Sequence, residues 1–452
     1  MPFKTSLPKA PLAKAPLAKA PLFMAISALL AQPAFAEAPP DFQGRYIAAI
    51  SDADMRAYAY IDGELGTPRG NDQLAIVSLP LTGTTPTGVA EVSNSVINPV
   101  FSIAASPDGN TVFVAETRKP RAEGDRTIQD LESGTTLRAI DVSNPAQPRI
   151  TDSIEVGIRP QGVSVSPDGS TLVLATKAPE APLVFVSYGE GGFGRVTAST
   201  LKGFTAMPEL PDQGMLPHHA EWHPTEDIVA VMLAFRSQLQ FYRVERRDDG
   251  SVAGIEPWGN RVMTSKWPMS GKFSRDGRYF VTNDLHWGAD VRGIYLNAPP
   301  SRLTVTELAP LDAEAPRHFI VGGVSLPRHA ESFAFSNDGT MIATLNIGQT
   351  WLEDSDPRYS RSSLSLVSFD AANGLVGHTG TWEFDGILPE GIAFDASDSY
   401  VVAGIFEYEG PEPRRSALEF WRVDRSAALP QLQDTGFAVE TGPGAHSLIV
   451  VN

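Results

Sequence analysis

Apolar and polar positions along this chain repeat in a unit built around a tight turn. An apolar run from Val100 leads into Ser106-Pro107-Asp108-Gly109, and Val112-Phe113-Val114 follows. Proline fixes φ near about −65°, and Asp and Gly accept the conformations that come next, so the pattern predicts a hairpin. The unit returns almost verbatim at Ser166-Pro167-Asp168-Gly169. Looser copies stand at His223-Pro224-Thr225-Glu226, Ser274-Arg275-Asp276-Gly277, Ser336-Asn337-Asp338-Gly339 and Asp395-Ala396-Ser397-Asp398. Counted from six residues before each turn, first strands begin at Val100, Pro160, Pro217, Pro268, Ala330 and Pro389, 51 to 62 residues apart. That spacing holds four short strands with their loops.

Second strands follow each turn, as in Tyr279-Phe280-Val281. Third strands are predicted at Leu137–Asp141, Leu183–Val186, Leu239–Tyr242, Leu364–Val367 and Leu418–Trp421. Fourth strands are weaker, as at Asp152–Val156 and Gly380–Phe384, and no segment sustains a helical period. A seventh unit is split. Arg45–Ile50 reads as a second strand without its first, and Pro443–Val450 as a first strand with nothing after it. Laid side by side they complete a unit and close a ring. The expected fold is all-β: a seven-bladed β-propeller of four-stranded blades, one domain over residues 37–452.

Ahead of that domain the charge pattern changes. Lys4, Lys9, Lys14 and Lys19 precede an apolar segment, Leu22–Leu30, and an Ala34-Phe35-Ala36 site. This is the three-part form of a cleavable secretory signal over residues 1–36, with an apolar run too short to stay as a membrane span. Export predicts a periplasmic or secreted protein with no transmembrane anchor after cleavage. Losing four lysines takes the net charge from −17 to −21. Such an anion does not suit nucleic acid, whose affinity comes from Lys and Arg on phosphates. The absence of cysteine excludes disulfides, thiolate metal sites and a thiol nucleophile.

In a propeller the first strands line the channel, and their entry shares a face with the loops between second and third strands. Sites concentrate at that mouth. Two and four residues into the first strands most units carry small side chains, whereas His219, Glu221 and Lys272 are large. Glu221 and Lys272 sit on neighbouring blades. They predict either a pair bracing the channel or a base with a cation to hold an anion. At the mouth itself stand Gln161, His218, Glu331 and Glu390. Pro217-His218-His219-Ala220-Glu221 is the densest cluster, echoed by Arg328-His329-Ala330-Glu331. A divalent metal is a candidate cofactor, with His218, His219 and Glu221 as ligands and His446 able to converge on the same place. No sequence feature requires one. Long loops at 116–135, 283–293, 346–363, 407–416 and 52–72 bring Arg118, His286, Trp287, Trp351, Tyr408 and other charged or aromatic groups to the same face.

With its Ser-Pro-Asp-Gly turns the chain resembles the lactonase-like seven-bladed propellers, of the 6-phosphogluconolactonase and carboxymuconate-cyclising types, over nearly all of residues 44–452. It lacks the Trp-Asp ending of WD40 blades and the sialidase box. The resemblance implies opening or closing of a small lactone by mouth-facing groups. Glu221 or His219 would be the base, Lys272, Arg328 or Arg159 the cation, and His218, Gln161, His329, Glu331, Glu390 and His446 would contact the ligand. The expected partner is a small polar or anionic ligand. The alternative is a non-catalytic propeller that binds a periplasmic protein or cell-envelope ligand through its loops.

Overall fold

Seven four-stranded antiparallel sheets follow one another around a ring in the computed structural model, which describes residues 38–97, 101–202, 216–288, 290–352, 355–410 and 414–452. The predicted leader and the start at Val100 lie outside these residues. Strands Tyr46–Ser51, Gln73–Ser78 and Gly88–Glu91 make the first blade, with Ala445–Val451 as its innermost strand. The others run in chain order: second, Ile103 to Glu155; third, Gln161 to Ser199; fourth, His219 to Met263; fifth, Pro268 to Ser325; sixth, Ser332 to Phe384; seventh, Ile387 to Glu440. The expected closure is present. Tyr46 pairs with Val451 and Ala49 with Leu448, and strand 445–451 packs against the innermost strands of both the second and seventh blades.

Alternation of side chains explains why blades stack rather than stand alone. In strand Thr171–Ala175, Leu172 and Leu174 pack with Phe113 and Ala115 of the second blade, while Val173 and Ala175 pack with Trp222, Val229 and Val231 of the fourth. Both faces are buried, so the strand reads as a continuous apolar run. Each fully buried Val, Leu or Phe contributes roughly 1.5–3 kcal/mol, and the interfaces between blades form the core.

The repeated turn has a simple mechanism. Ser106 Oγ donates to Asp108 Oδ1 at 2.5 Å, and Gly109 N donates to the Ser106 carbonyl at 2.8 Å, with Gly109 at φ +65°. In the fourth blade His223 takes the serine's place. Its Nδ1 accepts from the backbone N–H groups of Thr225 and Glu226 at 3.2 and 3.1 Å.

The opposite face is where the backbone departs from the repeat. Arg159, Trp267, His329 and Leu388 each sit in the left-handed region, at φ +52°, +61°, +54° and +51°. Each lies two residues before a mouth position: Gln161, Met269, Glu331 or Glu390. Non-glycine residues held there cost on the order of 1–2 kcal/mol each. Bulges follow in the third, fifth and seventh blades, between Gln161 and Ser164, Pro268 and Ser270, and Pro389 and Ile392. A bulge re-aims the side chains beside it. The fourth and sixth blades' first strands begin at His219 and Ser332, each two residues later than the pattern predicts, and the seventh's begins at Ile387, two earlier. Two single-turn helices, Ala59–Asp62 and Ile294–Asn297, lie in long loops of this face. At four residues they are too short to leave a period in the sequence.

Candidate functional site

The mouth of the channel holds a cavity of about 570 Å³. Its walls are a chain of rings. Phe235 and Trp267 have centroids 4.4 Å apart, His218 and Trp267 5.4 Å, Trp287 and Tyr295 5.3 Å, Tyr295 and Trp351 5.7 Å, and Tyr60 and Tyr295 5.1 Å. Several are pinned by hydrogen bonds. Trp351 Nε1 donates to the Tyr295 carbonyl at 2.8 Å, Tyr60 Oη to the Val96 carbonyl at 2.8 Å, and Trp287 Nε1 to His329 Nδ1 at 3.0 Å. Arg328 Nε holds the Ala298 carbonyl at 3.0 Å and so anchors the short helix that carries Tyr295. His329 and Arg328 therefore position the wall.

His218 and Glu331 bring chemistry to this cavity, one from the fourth blade and one from the sixth. Burial, with the Lys177 charge added to it, holds His218 well below the ordinary imidazole range, and its Nδ1 has no protein partner. The ring is thus neutral and able to accept. Burial pushes the Glu331 carboxyl up to about 8. Glu390, 1% exposed on the next blade, is raised well above the usual range by burial, then by Glu331 and Asp52. Asp52 is itself raised by burial, and Asp54 is raised to about 7 by burial and then by Asp52. An acidic arc thus runs from the sixth blade through the seventh to the first.

A cationic arc faces the other side of His218. Arg118 lies in the long loop of the second blade, Arg159 at the entry of the third, and Lys177 at the end of the third blade's second strand. Burial and the neighbouring Arg159 lower Arg118 to about 10 and Lys177 to about 7. No carboxylate contributes to either shift. Gln161, fully buried between them, donates from Nε2 to the Arg159 carbonyl at 3.1 Å and leaves Oε1 without a partner. Lys177 lies in a short loop and carries no motif, so no pattern along the chain points to it.

The three residues expected to be catalytic do meet, but inside the channel. Lys272 Nζ donates to Glu221 Oε1 at 2.8 Å and sits 4.3 Å from the Phe101 ring centroid. His219 Nε2 is 3.6 Å from Glu221 Oε2, and the imidazole lies over Gly162. A Cβ on Gly162 would come within 2.9 Å of His219 Cδ2, and φ there is +73°, so only glycine admits this packing. None of the three lines the mouth cavity. Lys272 and Glu221 pair across the fourth and fifth blades.

Of the expected metal ligands, His218 points its chemistry to the cavity while His219 and Glu221 are held with Lys272 below it. His446 is drawn away from the others, with Nε2 bonded to Asn94 Oδ1 at 2.7 Å and Nδ1 3.2 Å from Ser447 Oγ. Among the described residues, the group close enough to share an ion is Asp52, Asp54 and Asp72, with ligand atoms within 4.8 Å of one another. Two of these are already occupied: Asp52 Oδ2 accepts from Val96 N at 2.8 Å, and Asp72 accepts from Ala53 N and Asn94 N at 2.9 and 3.1 Å. They serve to tie the first blade's long loop together.

No family model matches the chain, and no curated protein matches its sequence. Solved structures do. A periplasmic gluconolactonase of Pseudomonas aeruginosa superimposes with a TM-score of 0.60 at 15% identity, covering 90% of this chain and 99% of its own. The fold is the one these propellers share. A candidate 6-phosphogluconolactonase of Bacteroides fragilis gives a TM-score of 0.59 at 11% identity over 91% and 98% of the two chains. A hypothetical selenium-binding protein of Sulfolobus tokodaii gives 0.55 at 11% over 91% and 94%. At these identities the likeness is one of architecture, and it agrees with the lactonase-like resemblance read from the turns. Among the described residues no helix is long and apolar enough to cross a membrane.

Proposed function

We propose that the protein is a lactonase-like hydrolase that opens a small cyclic ester in the mouth cavity and works outside the cytoplasm, in the periplasm or beyond. One observation carries the reading: a neutral imidazole, His218, and a protonated carboxyl, Glu331, share a ring-walled cavity of about 570 Å³. The aromatic walls suit the flat face of a small ring. Water attacks the ester carbonyl carbon and gives its proton to His218. As the ring C–O bond breaks, Glu331 gives its proton to the departing oxygen. The product is a hydroxy acid, and solvent returns the proton from His218 to Glu331. Burial keeps the Glu331 carboxyl protonated through the neutral range. Glu221, His219 and Lys272 brace the channel floor. The leader pattern supports the location, as does the likeness to a periplasmic gluconolactonase.

Five- and six-membered lactones incubated with the wild-type protein, with acid release followed in a pH-stat, test this. Turnover is expected, with Glu331→Gln and His218→Gln each slower by about 100-fold or more, the usual worth of a positioned acid or base. Undiminished rates in Glu331→Gln overturn the assignment. A folded wild type that opens no lactone overturns the hydrolase reading, in favour of a propeller that binds its partner through the loop face.

A further inference from the structure

We propose that Arg118, Arg159 and Lys177 form a binding site for an oxyanion, a carboxylate or phosphate group, that the ligand of the mouth cavity carries beside its reacting ring. The link to a reacting ring rests on the hydrolase reading; the anion site itself does not.

The site is assembled from four separate pieces of chain. Arg159 N donates to the Gly134 carbonyl at 2.8 Å, which joins the entry of the third blade to the end of the second blade's long loop. Lys177 N donates to the Ile158 carbonyl at 2.9 Å, and Lys177 Nζ lies 3.4 Å from the carbonyl of Pro217. That residue precedes His218, so the arc ends at the cavity wall. Arg118 Nη1 is spent on the Leu131 carbonyl at 2.8 Å, which fixes the guanidinium while its Nε stays unpartnered. Arg159 Nε is likewise buried without a partner, and so is the adjacent Gln161 Oε1.

Three largely buried cations whose shifts show no carboxylate among their causes are costly to leave without a counter-ion. A guanidinium cannot shed its proton, so its forked N–H donors are satisfied by an anion. Among the described residues the charged group that shifts Lys177 is Arg159, which in turn acts on Arg118, and the neutral His218 feels the Lys177 charge. Glu331 and Glu390 lie blades away, on the far side of the ring. An arriving anion restores the proton that Lys177 loses near pH 7. Affinity therefore falls as pH rises through that value, and binding takes up protons.

The test is calorimetry on the full chain in low chloride, with inorganic phosphate and acetate as separate probes. One anion per chain is expected, with proton uptake read from two buffers of different ionisation heat. Affinity should weaken about tenfold between pH 6 and 8.5. Lys177→Met and Arg159→Gln should each weaken it about tenfold or more, Lys177→Arg should restore it, and Arg195→Gln, on an outer strand, should match wild type. Tighter phosphate assigns a phosphoester and tighter acetate a carboxylate. Folded wild type that binds neither probe, or Lys177→Met and Arg159→Gln that bind as wild type does, overturns the site. Anion binding without lactone turnover keeps the site and sinks the hydrolase. Turnover without anion binding does the reverse.

Discussion

The two arcs of the mouth bury charge in opposite ways. Both are made from the same parts, inner-strand entries and the loops beside them, and both gather like groups, although Arg69 lies by Asp52 and Arg121 by Asp54 on the acidic side. The acidic arc resolves the conflict by itself. Glu331, Glu390, Asp52 and Asp54 are all raised, and a carboxyl that takes a proton becomes an ordinary buried hydrogen-bonding group. The cationic arc has no such exit, because Arg118 and Arg159 stay charged at any physiological pH. Only Lys177 yields, and only to about 7. One side of the mouth can therefore discharge itself and lend protons, while the other waits for a counter-ion. The channel trio differs from both. Lys272 and Glu221 neutralise one another at 2.8 Å, while Glu221 Oε2 and both His219 nitrogens stay buried without a hydrogen-bond partner.

The comparison can be broken most sharply at Glu331. Glu331→Gln keeps the shape and the neutrality of the acidic arc but removes its labile proton. Turnover should fall about 100-fold, with phosphate affinity unchanged in the same calorimeter. Next in size is Arg159→Glu, which supplies the cationic arc with an internal anion. Phosphate affinity should drop about 30-fold, the loss of one charge-assisted contact plus repulsion, and a Lys177 amine followed by NMR should titrate well above 7.

Stability against pH separates the arcs in wild type. Glu331 and Asp54 have folded values above their unfolded ones, so the stability they confer is full below about pH 4.5 and is lost as pH rises toward 8. Lys177 has a folded value below its unfolded one, so its contribution is present above about 10.5 and lost as pH falls toward 7. Denaturant melts should thus show stability rising by about 1–2 kcal/mol from pH 7 down to 5. Glu331→Gln should flatten that slope, whereas Lys177→Met should leave it and remove the alkaline one. The smallest effect belongs to the matched pair. Lys272→Met should cost about 1 kcal/mol, since that amine is a third exposed and screened.

What could be read from the chain follows the repeat. The Ser-Pro-Asp-Gly turns gave a ruler, and the ruler placed His218, Glu331 and Glu390 at the mouth and Glu221 beside Lys272 on neighbouring blades. Trp287 and Trp351 were visible as aromatic residues in loops long enough to fold back over the mouth. Trp267 was hidden, because its left-handed backbone turns a residue of the strand approach into a wall of the cavity. Tyr60 and Tyr295 ride on helices of a single turn, below any period. Lys177 sits in a short loop whose only distinction is what three other segments place beside it. His446 lies on the innermost strand of the first blade, yet Asn94, just beyond that blade's outermost strand, captured it. Local pattern fixes which strand a residue is on, and the path of the loops fixes whom it meets.

The pairing of Tyr46–Ser51 with Ala445–Val451 has a consequence for how the protein is made. Strand Tyr46–Ser51 is among the first to leave the ribosome, and all six of its residues are buried in the finished ring. Until residue 445 has been synthesised, that apolar strand has one hydrogen-bonding edge with no rightful occupant. An exposed edge of this kind recruits the strands of other molecules. A nonsense mutation that removes only strand 445–451 would therefore be expected to yield aggregates rather than a ring with a three-stranded first blade, and a chaperone that shields residues 46–51 during translation would be the natural remedy.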